Sequence, residues 1–318
     1  MTSLNYGGQA VMEGVMMRGE NAWAVSVRAP SGDIVVHRDQ LPVVVYRSRV
    51  LKWPFFRGLV GLWDALGLGM RALMWSADVA LSEEEDVSFS GPLAWGTVAI
   101  SLGLGIGVFF LLPTFLVGLV DRYVSSPLLS NLGEGLVRLT LLIAYLWAVG
   151  RMPDIARVFA YHGAEHKTIN AYEDGAPLDP VAVSRYPTAH TRCGTGFLLV
   201  VMLLFVIIST FIGRPPILLR LASRIVLIPL VAGISYELIK LGAKYYEKSA
   251  LVRLVLAPGL ALQRLTTREP DEKMLEVSIR ALQEVLASEE VAASVGENEM
   301  PTSEPSAQDV AAPGDANL

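Results

Sequence analysis

Residues 91–120 read GPLAWGTVAISLGLGIGVFFLLPTFLVGLV, without a single charged side chain. About 20 consecutive apolar residues suffice to carry an α-helix across the hydrocarbon core of a bilayer. The stretch therefore predicts a membrane-spanning helix and sets the fold class: mainly α, a multi-pass membrane helical bundle. Further spans are predicted downstream. Residues 132–150 carry Glu134 and Arg138 near one end, where a long Arg side chain can snorkel to the interface. Residues 194–213 are uncharged, and residues 216–239 carry Arg220, Arg224 and Glu237. The expected count is about four transmembrane helices. Residues 55–81 repeat apolar side chains at helical spacing, but Arg57, Asp64, Arg71 and Asp78 interrupt them, which predicts an amphipathic interfacial helix. A fifth crossing is the alternative there. Residues 251–262 are apolar but too short to cross. Gly103, Gly105 and Gly107, inside the first span, suit close helix packing.

The 318 residues are 52% hydrophobic and carry a net charge of −5, so no global basic character points to nucleic acid. A mean hydropathy of +0.44 agrees with a membrane protein. One cysteine, Cys193, excludes an intrachain disulfide framework. The opening residues MTSLNYGG lack a basic segment followed by an apolar run, so insertion is expected to use internal segments.

Five regions are expected. Residues 1–54 form an N-terminal β-rich segment, with WAVSVR (23–28) and DIVVH (33–37) joined by Pro30-Ser31-Gly32 as a hairpin, and a third strand at 43–46. Residues 55–90 hold the interfacial helix and 91–265 the transmembrane bundle with a polar loop at 151–193. Residues 266–288 form an amphipathic helix with Leu275, Ile279, Leu282 and Leu286 on one stripe. Residues 289–318, acidic and poor in large apolar groups, read as a disordered tail. The stretch GGQAVMEGVMMR (7–18) fits neither helix nor strand period. It either lines a site, with Glu13 as a carboxylate, or packs as an edge segment. Four crossings put both termini and the central loop on one side, and the Lys and Arg there assign that side to the cytoplasm of a cell membrane.

The central loop holds the chemistry. Three of the four histidines, His162, His166 and His190, lie there with Cys193. Residues 153–174 read as a helix that starts at Pro153 and stops before Gly175. His162 and His166, four apart, share a face, and with Glu165 they spell His162-Gly163-Ala164-Glu165-His166, the H-x-x-E-H pattern of two metal ligands and a general base. His190 or Cys193 would complete a three-ligand catalytic site for a divalent metal ion, zinc by donor type. All four together would make a closed structural site. The plain alternative is two histidines bonded to headgroups or backbone. Glu237 is a second carboxylate of interest, because an ionisable residue within a membrane span is costly. Its plain reading is an interfacial Glu paired with Lys240 or Lys244.

Several strings together resemble the YqhQ family of bacterial membrane proteins, a family of unknown function described as predicted metal-dependent enzymes. They are residues 7–18, Phe56-Arg57-Gly58, residues 161–167 and 190–197, Ser235-Tyr236-Glu237, Ala257-Pro258-Gly259-Leu260 and residues 266–271. Thr191 stands where the family carries Pro, and Gly196 where it carries Ser. Neither position offers a ligand. The resemblance implies a metal site and no substrate.

Two functions compete. One is a metal-dependent hydrolase at the cytoplasmic membrane face, with Glu165 or Glu237 as catalytic base and a peptide or lipid-linked substrate. The other is a non-catalytic membrane scaffold or assembly factor, with a structural metal site or none, whose hairpin and amphipathic helix dock a membrane-protein partner.

Overall fold

The computed structural model describes residues 6–41, 53–81, 92–213 and 215–298. Four antiparallel strands come first, β1 (Gly7–Val11), β2 (Gly14–Arg18), β3 (Ala22–Arg28) and β4 (Ile34–Gln40), in the spatial order of the chain. The expected hairpin is β3–β4. The expected strand at 43–46 lies outside the described residues.

Ten helices follow among the described residues. Helix α1 (Pro54–Ala80) precedes a first crossing made of α2 (Pro92–Ile106), a π-helical turn (Gly107–Leu111) and α3 (Leu112–Val120). Then come α4 (Pro127–Val149), α5 (Pro153–Glu173), the short α6 (Pro180–Val183) and α7 (Gly194–Ile212). The chain continues with α8 (Ile217–Tyr245), α9 (Ala250–Thr266) and α10 (Glu272–Asn298). Four helical stretches are long and apolar enough to cross a membrane: Trp95–Val120, Pro127–Val149, Gly194–Ile212 and Ile217–Tyr245. Helix α1 is not one of them. It packs against α8, where Gly58 and Gly61 leave room for the Tyr236 ring, and against the sheet. The final helix runs past Ser288, so residues 289–298 are helical rather than part of a tail; the rest of the acidic segment lies outside the described residues. Glu289 anchors this extension by accepting from the Tyr6 hydroxyl at 2.5 Å and the Asn21 amide at 3.2 Å.

The sheet is covered on both faces. Val11, Met16, Trp23, Val25 and Val27 pack with Leu68 and Ala72 of α1. Val15, Met17 and Ala24 pack on the opposite side with Ile169 of α5 and Leu275, Ile279 and Leu282 of α10. A strand buried on two faces loses the polar alternation that reveals a half-exposed one, which is why β2, at residues 14–18, shows no clean period. The apolar stripe of α10 is spent on this sheet, so it is not open for docking a partner.

The bundle reverses the polarity of a soluble protein. Ile100, Leu102, Leu104, Phe211 and Leu218 are exposed, whereas Glu134, Arg138, Arg220 and Arg224 are almost completely buried. Arg138 does not snorkel. Its Nε donates to the Phe109 carbonyl at 2.8 Å, an acceptor left open because Pro113 has no N–H to reach it. Glu134 gathers the three guanidiniums: Oε1 accepts from Arg138 and from Arg224 Nε, each at 2.9 Å, and Oε2 accepts from Arg220 at 2.8 Å. Arg220 also reaches Asp121 at 2.5 Å, while Asn131 links α4 to the Ser209 carbonyl of α7 at 3.3 Å. Gly103, Gly105 and Gly107 have no neighbour where a side chain would go, contrary to the packing role expected of them. The close approach is instead at Gly135, where a Cβ would lie 2.3 Å from Val206 of α7.

Removing one partner of a buried ion network leaves uncompensated charge and costs about 3–5 kcal/mol. Glu134→Gln is therefore expected to lower the thermal midpoint of the detergent-purified protein sharply or to abolish folded yield. Leu104→Ala, on a lipid-facing surface, should leave both near wild type.

Candidate functional site

Helix α5 carries the site. It starts at Pro153, where the missing N–H costs nothing, and its inward face is buried from Ala160 to Ala171. His162, His166 and Asn170 follow one another along one side and grip the neighbouring loops by their backbone carbonyls. His162 Nδ1 bonds the Thr266 carbonyl at 2.8 Å and His166 Nδ1 bonds the Thr188 carbonyl at 2.5 Å. The Asn170 amide donates to the Pro187 and Ala189 carbonyls at 2.9 and 3.1 Å. Lys167 fastens the same loop, donating to the Ser184 and Tyr186 carbonyls at 2.8 and 2.7 Å. Gly163 is needed because α5 lies directly on the turn after α9: a Cβ there would sit 2.0 Å from the Arg268 carbonyl oxygen.

A carbonyl only accepts, so each histidine Nδ1 directs a proton to the backbone, and in the neutral ring the lone pair is then left on Nε2. This is the usual arrangement behind metal-binding histidines, where the second ring nitrogen is fixed by an acceptor. The Cys193 sulfur lies 3.3 Å from His162 Nε2 and caps α7 by accepting from the Thr195 amide at 3.4 Å. It therefore sits at the positive end of the α7 dipole, a setting that suits an anionic ligand. Ligand atoms of His162, His166 and Cys193 all lie within 4.8 Å of one another. A tetrahedral zinc ion with bonds of roughly 2.0–2.3 Å holds its ligands about 3.3–3.7 Å apart. The Cys193 sulfur to His162 nitrogen separation already falls in that range, and the other pairs lie within 4.8 Å. The donor set fits zinc.

His190 lines the same cavity but stands apart from this group. Its ring centroid is 5.6 Å from that of His166, and its Nε2 faces Glu173 at 3.7 Å. The Gln263 side chain pins its backbone from both sides, accepting from the amide at 2.9 Å and donating to the carbonyl at 2.8 Å. Of the two candidates for a third ligand, the geometry brings in Cys193. Burial acts to raise the Glu173 carboxyl, but His190 and the ion-paired Arg192 outweigh it and hold Glu173 below the usual carboxylate range.

Glu165 is buried beside the three donors, with its carboxylate 3.4 Å from His166 Nε2. Its side chain runs against β1, where a Cβ on Gly8 would come within 2.7 Å of Glu165 Cγ. The cavity, about 90 Å³, is lined by Tyr6, Gly7 and Gly8 of the strand, by His162, Glu165 and His166 of α5, and by His190, Arg192, Cys193 and Gly194. Glu237 is half-buried on α8 and is not among these lining residues. Glu13 also lies elsewhere, in an ion pair with Arg157 at 2.5 Å on the turn between β1 and β2, where its φ is 51°. Sequence reading did not anticipate Gln263, the Thr266 carbonyl or the role of Gly8. Their only signal was the short strings around them.

The family described as "Protein of unknown function (DUF1385)" matches residues 53–288. Similarity extends beyond that range: the uncharacterized protein YqhQ of Bacillus subtilis (strain 168) is 35% identical over 297 residues, 89% of this chain and 93% of its own length. The chain belongs to this family. No solved structure matches the chain.

Gly163→Ala is expected to destabilise the folded protein by about 1–3 kcal/mol, because the added methyl overpacks against backbone that cannot yield. Gly67→Ala, in α1 with nothing within 4 Å, is the matched control and should be neutral or stabilising. Thermal or denaturant unfolding in detergent compares the two.

Proposed function

We propose that the protein is a metal-dependent hydrolase whose site lies at the cytoplasmic face of the membrane. The observation that carries this reading is the convergence of His162, His166 and Cys193 around one point, with Glu165 beside it and both histidines oriented by backbone carbonyls. Three protein donors leave a fourth position open, the pattern of catalytic rather than structural zinc. A bound zinc ion supplies electrophilic polarisation and lowers the pKa of a coordinated water to about 7. The remaining work belongs to the chain. His162, His166 and Cys193 hold the ion. Glu165 takes a proton from the attacking water and returns it to the leaving group. Burial of Glu165 and His166 limits bulk water. Glu237 has no part in this mechanism, because it does not line the cavity.

The non-catalytic alternative needs a closed set of four ligands or no metal at all. The offset of His190 toward Glu173 speaks against closure. The side assigned to the site follows from the Lys and Arg residues of the central loop and of the segment after α8.

Purified wild type is expected to hold about one zinc ion per chain, the single site of this geometry, and His162→Ala with His166→Ala to hold none. Elemental mass spectrometry reads both. Metal-free wild type, or metal retained by the double variant, rejects the reading. Glu165→Gln should keep the metal and lose about a hundredfold or more of the hydrolytic rate, the usual scale of general-base catalysis.

A further inference from the structure

We infer that the substrate is an extended polypeptide segment that pairs with the open edge of β1 and so delivers a backbone amide to the His162/His166/Cys193 centre. The inference rests on the hydrolase reading and names its substrate class.

The wall of the cavity is backbone. Tyr6, Gly7 and Gly8 line it in succession. Tyr6 precedes β1 and Gly7 and Gly8 open it; neither glycine has a side chain, so the strand's own contribution to the wall is main chain. β1 has such an edge. It is the first strand of the sheet and pairs with β2 alone among the described residues. Gly8 and Gln9 are exposed at its middle, whereas residues of β2 and β3 are almost all buried. An exposed edge is a row of unpaired N–H and C=O groups, and natural sheets normally block it with charge, proline or a covering element. Here glycines occupy the two strand positions beside the cavity, and at Gly8 a side chain would run into Glu165 and Met17. An added side chain at Gly7 would meet nothing within 4 Å.

Edge pairing is a general mode of peptide recognition, in which main-chain hydrogen bonds give affinity and alternate side chains add selectivity. It suits this site on two further grounds. A volume of about 90 Å³ is well below the roughly 300–1,000 Å³ of pockets that engulf a small molecule, so the cavity takes a scissile group while the rest of the substrate lies outside. An acyl chain could not use the amide and carbonyl row that forms the wall, whereas a polypeptide uses it residue by residue.

The chemistry balances as peptide hydrolysis. The water oxygen bonds to the substrate's carbonyl carbon as Glu165 takes a proton. The C–N bond then breaks, its electron pair stays on nitrogen, and Glu165 passes the proton to that nitrogen. The products are a new carboxylate and a new amine, with no oxidant or other co-reactant.

The test uses full-length Glu165→Gln protein in detergent with zinc, which cannot turn substrate over. Its probes are a fluorescein-labelled pool of decapeptides of randomised sequence and the same pool methylated at every backbone nitrogen. Fluorescence anisotropy should show binding of the first pool and at least about tenfold weaker binding of the second, because methylation removes the donors of the ladder and keeps the side chains. Gly7→Leu should weaken binding of the first pool by a similar factor while metal content stays at the wild-type level. Wild type in oxygen-18 water should place one heavy oxygen in each new peptide carboxylate. Equal binding of the two pools, or no binding of either, overturns the inference. So does cleavage of detergent-solubilised phospholipid without cleavage of peptide. In each of those cases, a zinc-containing protein that still hydrolyses an ester leaves the hydrolase reading standing. Peptide binding by a protein that holds no metal would reject the hydrolase reading and with it the role of the peptide as substrate, leaving only the pairing at β1.

Discussion

One buried carboxylate organises the membrane half of this molecule. Glu134 stands among three guanidiniums where no water can replace it, and each Arg belongs to a helix that must be in register for the contacts to form. Apolar contact between helices gains little in lipid, because the hydrocarbon is as apolar as the side chains, so polar bonds and close packing set the arrangement. Arg138 ties the first crossing to α4 through carbonyls beside Pro113. Arg220 and Arg224 tie in α8, and Asn131 with Gly135 brings α7 against α4. These contacts hold α7 near Val206 and Ser209, and Leu142 and Leu146 of α4 pack with Leu199 and Met202 nearer the end that Cys193 caps. Rigid placement of that sulfur relative to α5 is what a metal site requires.

At the other end of the bundle, the constraint is satisfaction of backbone carbonyls. The loop that carries His190 and the turn after α9 would bury unpaired acceptors, and the side chains of one face of α5 answer them. His162 and His166 serve both purposes. One nitrogen of each ring closes a backbone hydrogen bond and the other remains directed to the cavity. The structural role and the ligand role are thus two halves of the same ring, and a strong case for one does not weaken the other.

How much of this was legible in the sequence follows from the same physics. The four crossings were readable because a bilayer demands long apolar runs, and residues 91–120 and 194–213 carry nothing else. The spacing of His162 and His166 was readable because helical periodicity alone puts them on one face. The strand β2 was not, since covering both of its faces erases alternation. Arg138 was misjudged because snorkelling needs only its own length, whereas burial needs partners from other helices that no local pattern announces. Glu237 drew notice by its place in a span, yet the cavity is built from α5, β1 and the start of α7. That His190 stands apart from the group of His162, His166 and Cys193 was not readable either, since its backbone is held by Gln263, 73 positions away.

Tyr6 and Glu289, 283 residues apart, meet through a hydrogen bond, and the helix that carries Glu289 supplies one cover of the sheet. Chains leave the ribosome N-terminus first at about 5–20 residues per second, so β2 and β3 wait on the order of tens of seconds for that cover. Throughout that interval, one apolar face of the sheet is covered only in part, by α5, and Tyr6 lacks its bond to Glu289, although its carbonyl and ring can already meet Arg192 and Tyr172. Translation thus sets an order: every residue that lines the cavity is made well before the helix that closes over the sheet.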